Sequence, residues 1–285
     1  MLGGHARPDG GAAGRPTGLP DGAVLSVDLG PGVVAGFTTR FGGRSEPPWD
    51  TLDLGLGTGD DPGHVRANRA LVADWLGAPI AFATQVHGRG VAILPGPAGP
   101  AGPAGPAGPA GPGAAAGTAD SVGEADALVS AAPGTAVGVL VADCVPVLLA
   151  DATGGVVAAV HAGRRGLAEG VLQAAVEACM RSGARVDRLR AVVGPAISGT
   201  AYEVPAVLRA EVAARVPETW ATTSWGTPAL DLPAGVEAVL RRAGVGRVDR
   251  LALCTWSDDR FYSHRRAQRV GTTTGRFAGV VRLAG

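Results

Sequence analysis

Residues 140–151 read LVADCVPVLLAD, and residues 157–163 read VAAVHAG. Two runs of Val, Ala and Leu this close in sequence predict neighbouring buried strands. Each run has a polar break at one end. Asp143 and Cys144 stand just ahead of Pro146, and His161 closes the second run before Gly163. Proline interrupts a strand ladder, so the first break marks a strand end rather than a strand interior. A second histidine, His87 in the segment TQVHG at 84–88, also follows a short apolar run. One thiolate and two imidazoles are a metal-site composition, and three protein ligands leave a fourth position open for chemistry.

Composition narrows the class. The 285 residues are 46% hydrophobic, enough for a sizeable core, and 25 basic residues balance 25 acidic ones. That balance supplies no long-range field for nucleic acid or for a membrane surface. Apolar runs near Val137 and Val156 are cut by Asp143, Asp151 and glycines, short of a spanning helix. A soluble, cytoplasmic protein is expected, either monomer or homodimer. Every basic residue is arginine. The absence of lysine excludes a Walker-type phosphate loop and imine-forming chemistry, leaving Arg forks and backbone amides for anions. Three cysteines at 144, 179 and 254 do not suit a disulfide framework.

Residues 1–21 are rich in Gly and Pro without the apolar centre of a secretory signal, and are expected to be a disordered tail. Glycine recurs every third position from Gly96 to Gly111 in GPA triplets. This tract is too short for a triple helix and predicts an extended surface loop at 95–117. The remaining chain, 22–285, reads as one domain. Strands are predicted at 33–39, 80–86, 125–130, 136–142, 145–151, 156–161, 189–193, 251–255 and 278–283, with VAIL before the GPA tract as a further strand. Helices are predicted at 62–76, 167–181, 205–215 and 233–242. The alternation indicates an α/β or α+β domain.

From the residues alone Cys144 has three readings: a core thiol, a nucleophile with His161 as its base, or a metal ligand together with His87 and His161. Spacing does not choose among them. His5 in the tail and His64 at a helix start are peripheral, whereas His264 stays open. Cys179 lies on an apolar helical stripe and Cys254 ends a strand. Tyr202 and Glu203 either shape a pocket or cap a helix.

The segments FTTRFGG (37–43), GDDPGHVRANR (59–69), TQVHG (84–88), ADALVS (125–130), VADCVPVLLAD (141–151), VAAVHAGRRG (157–166), VGPAISGTAYEV (193–204), CTWSDDRFYSHRR (254–266) and TTGR (273–276) occur in the order found in the YfiH/LACC family, which this chain resembles. Its members are variously described as multicopper polyphenol oxidases, purine nucleoside phosphorylases and peptidoglycan editing factors. The resemblance implies an α/β fold, a layered α/β/β/α sandwich with mixed sheets similar to the CNF-type bacterial toxin deamidases. It implies a metal, zinc with copper as the alternative, held by His87, Cys144 and His161. It also implies phosphorolysis of purine nucleosides, including methylthioadenosine, and adenosine deamination at the same site, with purine nucleosides and phosphate as partners.

For that chemistry Asp143 is the nearest carboxylate to serve as proton shuttle, provided the strand bends there, because adjacent strand residues face opposite ways. Arg40 and Arg165, in glycine-rich loops, are the expected substrate-binding guanidiniums for phosphate, with Arg40 also placed in the catalytic set. Two alternatives remain: a metal- or Cys/His-dependent hydrolase or editing factor acting on a cell-wall precursor, and a copper phenol oxidase, for which five histidines are few. The chain departs from the family pattern at Arg164, where HAGWRG is common, and at Asp53 and Gly57, where an Asn and a nearby His are often found.

Overall fold

The computed structural model describes residues 18–95 and 120–284. The tail expected at 1–21 and the loop expected at 95–117 lie outside them, except for residues 18–21 and 95. Two mixed sheets dominate. The first contains β1 (Val24–Ser26), β2 (Val33–Thr38), β3 (Ile80–Ala81), β6 (Ala136–Val141) and β13 (Phe277–Leu283), in the order β1-β2-β13-β6-β3. The second contains β4 (Val91–Leu94), β5 (Ala127–Ser130), β7 (Val145–Asp151), β8 (Val156–Ala162), β9 (Arg190–Val193) and β12 (Arg247–Arg250), in the order β12-β9-β7-β8-β5-β4. A small hairpin joins β10 (Trp220–Thr222) to β11 (Pro228–Leu230).

The sheets face each other across a core that includes Phe37, Val137, Val139 and Val281 from one and Leu128, Leu148, Val157 and Ala159 from the other. Helices cover the outer faces. On the second sheet, α2 (Arg164–Glu169), α3 (Val171–Arg181) and α5 (Leu232–Arg242) pack through Leu167, Ala175, Cys179 and Val236 against Val147, Leu149 and Val160. On the first sheet, α1 (Pro62–Leu76) packs Val72 and Leu76 against Ala278 and Val280. All seven residues of β7 and all seven of β8 are buried, so the opening stretch has no polar alternation: both of its faces are covered. Two further helices, α4 (Ala206–Ala213) and α6 (His264–Arg269), flank the strand ends.

Local chemistry accounts for most boundaries. Asp61 accepts from the Gly63 and His64 amides, Pro62 opens α1, and Gly77 ends it at φ 74°. The helix predicted over 167–181 is two helices, because Gly170 adopts φ 93° and its N–H returns to Gly166 and Leu167. The strand predicted at 251–255 lies instead at the polar segment β12, which pairs in parallel with β9 at the sheet edge. The strand predicted over 80–86 stops at Ala81, after which the chain leaves the first sheet for the second. Helix α6 has no counterpart among the predicted helices. Among the described residues no helix is long and apolar enough to cross a membrane.

Candidate metal centre

Two crossings between the sheets build the site. Residues 142–144 connect β6 in the first sheet to β7 in the second, and residues 82–90 connect β3 in the first to β4 in the second. Among the described residues only two other than glycine have positive φ, and one lies on each crossing: Asp143 at 87° and His87 at 59°. Such conformations persist only where the surroundings hold them. The third element is β8, whose register sets His161 opposite Pro146 and therefore near the start of β7. The chain thus brings His87, Cys144 and His161 together, with one donor atom from each within 4.8 Å of the others.

Asp126, a residue the sequence reading did not single out, organises this cluster. It is fully buried just before β5, and its Oδ1 accepts from His161 Nδ1 at 2.8 Å and from the His87 amide at 2.9 Å. Its Oδ2 accepts from the Gly88 amide at 2.7 Å and the Val86 amide at 3.3 Å. One carboxylate therefore orients the His161 ring and shapes the backbone that presents His87. With Nδ1 engaged, His161 turns Nε2 toward Cys144. Gln85, also unassigned from sequence, donates from Nε2 to the Leu140 carbonyl and accepts the Leu140 amide on Oε1, both at 2.7 Å. It fastens the 82–90 crossing to β6. The available signal for Asp126 was an acidic residue directly ahead of the mostly apolar strand ALVS, and for Gln85 its closeness to His87.

The three donors could hold a metal ion, and one pair of them has the spacing of a tetrahedral zinc site. Tetrahedral Zn–S and Zn–N bonds of about 2.3 and 2.1 Å place sulfur and nitrogen about 3.6 Å apart, and Cys144 Sγ lies 3.8 Å from His87 Nε2. Gly163 leaves the space open: a Cβ there would stand 2.9 Å from His87 Cδ2 and 3.2 Å from Cys144 Sγ. Burial disfavours charge here, but the neighbouring His161, with help from His87, outweighs it and brings the Cys144 thiol down to about 6. Burial likewise opposes the His161 imidazolium, yet Cys144 and then Asp126 raise it to about 9. Cys179, by contrast, sits in the apolar core, where burial pushes its thiol up to about 12.

Two cavities meet at this centre. The larger, about 800 Å³, is lined by His87, Cys144 and His161 together with Gln85, Leu140 and Arg276 among others. The smaller, about 450 Å³, shares His87, Ala142, Cys144 and His264 with it and adds Arg164, Arg165 and Arg265. Asp143 lines the smaller cavity, and the chain does bend there, but both carboxylate oxygens are occupied. Oδ1 accepts from Thr255 Oγ1 and Oδ2 from the Arg265 amide, each at 2.6 Å. Arg40 is not brought to the cluster. Its Nε donates to the Asp50 carbonyl at 2.7 Å, its Nη2 pairs with the Asp50 carboxylate at 3.0 Å, and it lies over the Tyr262 ring. It lines neither cavity. Arg165 does line the smaller one, with Nε paired to Glu169 at 2.7 Å. Of the two other departures from the family pattern, Gly57 lines the larger cavity, whereas Asp53 does not: it is buried and tied to Gly55, Thr58 and Arg276.

A family model described as multi-copper polyphenol oxidoreductase laccase matches residues 34–284. A purine nucleoside phosphorylase of Streptomyces coelicolor is 47% identical over 251 residues, 87% of this chain and 94% of that protein. One from Streptomyces griseus is 46% identical over 251 residues, 87% of this chain and 93% of its own length. The crystal structure of the Bacillus licheniformis hypothetical protein YfiH superposes with a TM-score of 0.78 at 29% identity, covering 92% of this chain and 97% of that one.

Proposed function

This chain belongs to the YfiH/LACC family, and from that premise we propose that it is a zinc-dependent purine nucleoside phosphorylase working at His87, Cys144 and His161. One observation carries the reading: three metal-competent donors open directly onto a cavity of about 800 Å³, a size suited to a nucleoside. The names of its Streptomyces relatives point the same way.

In phosphorolysis a phosphate oxygen bonds to C1′ of the ribose while the C1′–N9 bond breaks. The electron pair goes to the purine, which takes up a proton, leaving ribose 1-phosphate and free base. Zinc, when bound, supplies a Lewis acid beside the substrate. The chain's own residues do the rest. Asp126 holds His161, and through the Val86, His87 and Gly88 amides it also holds His87. The apolar wall at Leu140, Val141 and Ala142 excludes water from one side of the larger cavity. His264 faces both cavities, and burial, then Arg276, keeps it below the ordinary imidazole range. A neutral imidazole there is suited to relay a proton, taking it from the incoming phosphate and returning it to the departing purine, and the same group serves adenosine deamination in this reading. Asp143 and Arg40 enter the proposal as positioning residues, Asp143 by fixing α6 behind Cys144 and Arg40 by fixing the loop at Asp50. Methylthioadenosine is included among the substrates, and the layered sheets with Cys and His at their rims support the kinship with toxin deamidases.

A second reading has a specific observation behind it. Cys144, His161 and Asp126 also form a thiolate, imidazole and carboxylate series, the arrangement of a cysteine hydrolase or cell-wall editing factor. Substituting His87 separates the two, since the hydrolase reading does not need it. Several coppers would need more donors than the single cluster found among the described residues. The test is phosphate-dependent release of hypoxanthine from inosine, abolished by Cys144→Ala and by His87→Ala. Inosine turnover that survives His87→Ala would overturn the proposal.

A further inference from the structure

Phosphorolysis requires a second substrate, an oxyanion, and the larger cavity is poorly equipped for one. It has two arginines against the smaller cavity's three, and each makes two bonds to backbone carbonyls: Arg69 to those of Leu54 and Asp120, and Arg276 to those of Thr274 and Gly275. The smaller cavity differs. Three arginines, Arg164, Arg165 and Arg265, line it, and its single carboxylate, Asp143, has both oxygens engaged. Arg164 is half-buried and forms no ion pair among the described residues. The Arg165 pair with Glu169 is exposed and weak, so little opposes its release. Arg265 uses Nη1 on the Glu203 carbonyl and lies over the Tyr202 ring, which steadies the guanidinium at the cavity wall. Gln268 adds an amide donor on the same wall.

Resting on the phosphorylase reading above, we infer that the smaller cavity is the subsite for inorganic phosphate, clamped by Arg164, Arg165 and Arg265, while the larger cavity takes the nucleoside. The two meet at His87 and Cys144, so a phosphate held by the arginines adjoins whatever occupies the metal side of the larger cavity. Guanidinium forks suit the task because they bind phosphate oxygens bidentately and stay charged throughout the working pH range.

The test uses the zinc-loaded full chain, with inorganic phosphate as the probe in calorimetry and inosine phosphorolysis as the kinetic readout. Arg164→Gln and Arg165→Gln are each expected to weaken phosphate binding and raise the phosphate KM about tenfold, the scale of one lost charge-assisted contact. The Arg164→Gln/Arg265→Gln double variant should lose more, while the inosine KM stays within about twofold. Arg164→Lys keeps the charge without the fork and should fall between wild type and Gln. Arg181→Gln, on the exposed end of α3, controls for net charge. Unchanged phosphate affinity in all the cavity variants, or an inosine KM that rises as much as the phosphate KM, overturns the inference. If wild type binds phosphate through these arginines without cleaving inosine, the phosphorylase reading fails and the subsite stands. If inosine is cleaved with a phosphate KM indifferent to the substitutions, the subsite fails and the phosphorylase reading stands.

Discussion

Asp126 Oδ1 lies 2.8 Å from His161 Nδ1, with both side chains buried, and the same oxygen accepts the His87 amide. One carboxylate therefore aligns two of the three donors. Asp126→Asn keeps the shape but removes the charge and replaces one of two accepting oxygens by an NH2 donor, which must face either the His161 ring and His87 amide or the Val86 and Gly88 amides. Zinc affinity, measured by competition with a chromogenic chelator, is expected to fall about 10- to 100-fold. An unchanged affinity would contradict the arrangement.

Gly163 tests the space between the donors. Its φ of −75° suits any residue, so Gly163→Ala introduces no backbone strain. The added methyl would nonetheless meet the His87 ring and the Cys144 sulfur. Zinc binding should weaken sharply while the melting temperature of the metal-free protein shifts little. A variant that binds zinc like wild type would show that the three side chains do not converge.

The metal-free protein should carry a reactive thiolate. Cys144, lowered to about 6, lends stability at high pH that is lost as pH falls through about 6. His161, raised to about 9, lends stability at low pH that is lost as pH rises through about 9. Their mutual attraction therefore operates between those values. Iodoacetamide labelling of Cys144 should be half-maximal near pH 6, and in His161→Asn the midpoint should move up toward an ordinary thiol. Cys179, raised to about 12, should stay unlabelled until the protein unfolds. A Cys144 midpoint near that of free cysteine would refute the pairing.

Excision of residues 96–113 should leave the fold intact. Both flanks are tied down independently, β4 by pairing with β5 and Asp120 by an ion pair with Arg66 at 2.9 Å. Loop-length entropy changes stability by only about 1 kcal/mol or less for such a cut. Loss of a cooperative melt, followed by circular dichroism, would contradict this.

Much of this architecture was legible in the residues. The Asp60, Asp61 and Pro62 signals give α1 its observed start, and the apolar runs mark β7 and β8 as neighbouring strands. His87, Cys144 and His161 were placed together from composition and resemblance. What escaped depended on through-space partners. Arg40, in a glycine-rich loop, could be read as a phosphate clamp or as a salt-bridged residue, and Asp50, ten positions on, pairs with it. Asp143 looked available, but Thr255 and Arg265, more than a hundred positions away, take its oxygens. Asp126 is a short acidic residue beside an apolar strand, and only the fold reveals that four donors converge on it. The polar edge strand β12 carries no apolar alternation, so the apolar LALC beside it drew the prediction instead.

In the proposed function, one zinc ion on His87, Cys144 and His161 sustains phosphate-dependent cleavage of purine nucleosides. The most direct measurement titrates zinc into metal-stripped protein while following inosine turnover with and without phosphate. Hypoxanthine release is expected to rise linearly to one zinc per chain, to require phosphate, and to be absent in Cys144→Ala. Full turnover in metal-free protein, or turnover indifferent to phosphate, would contradict it.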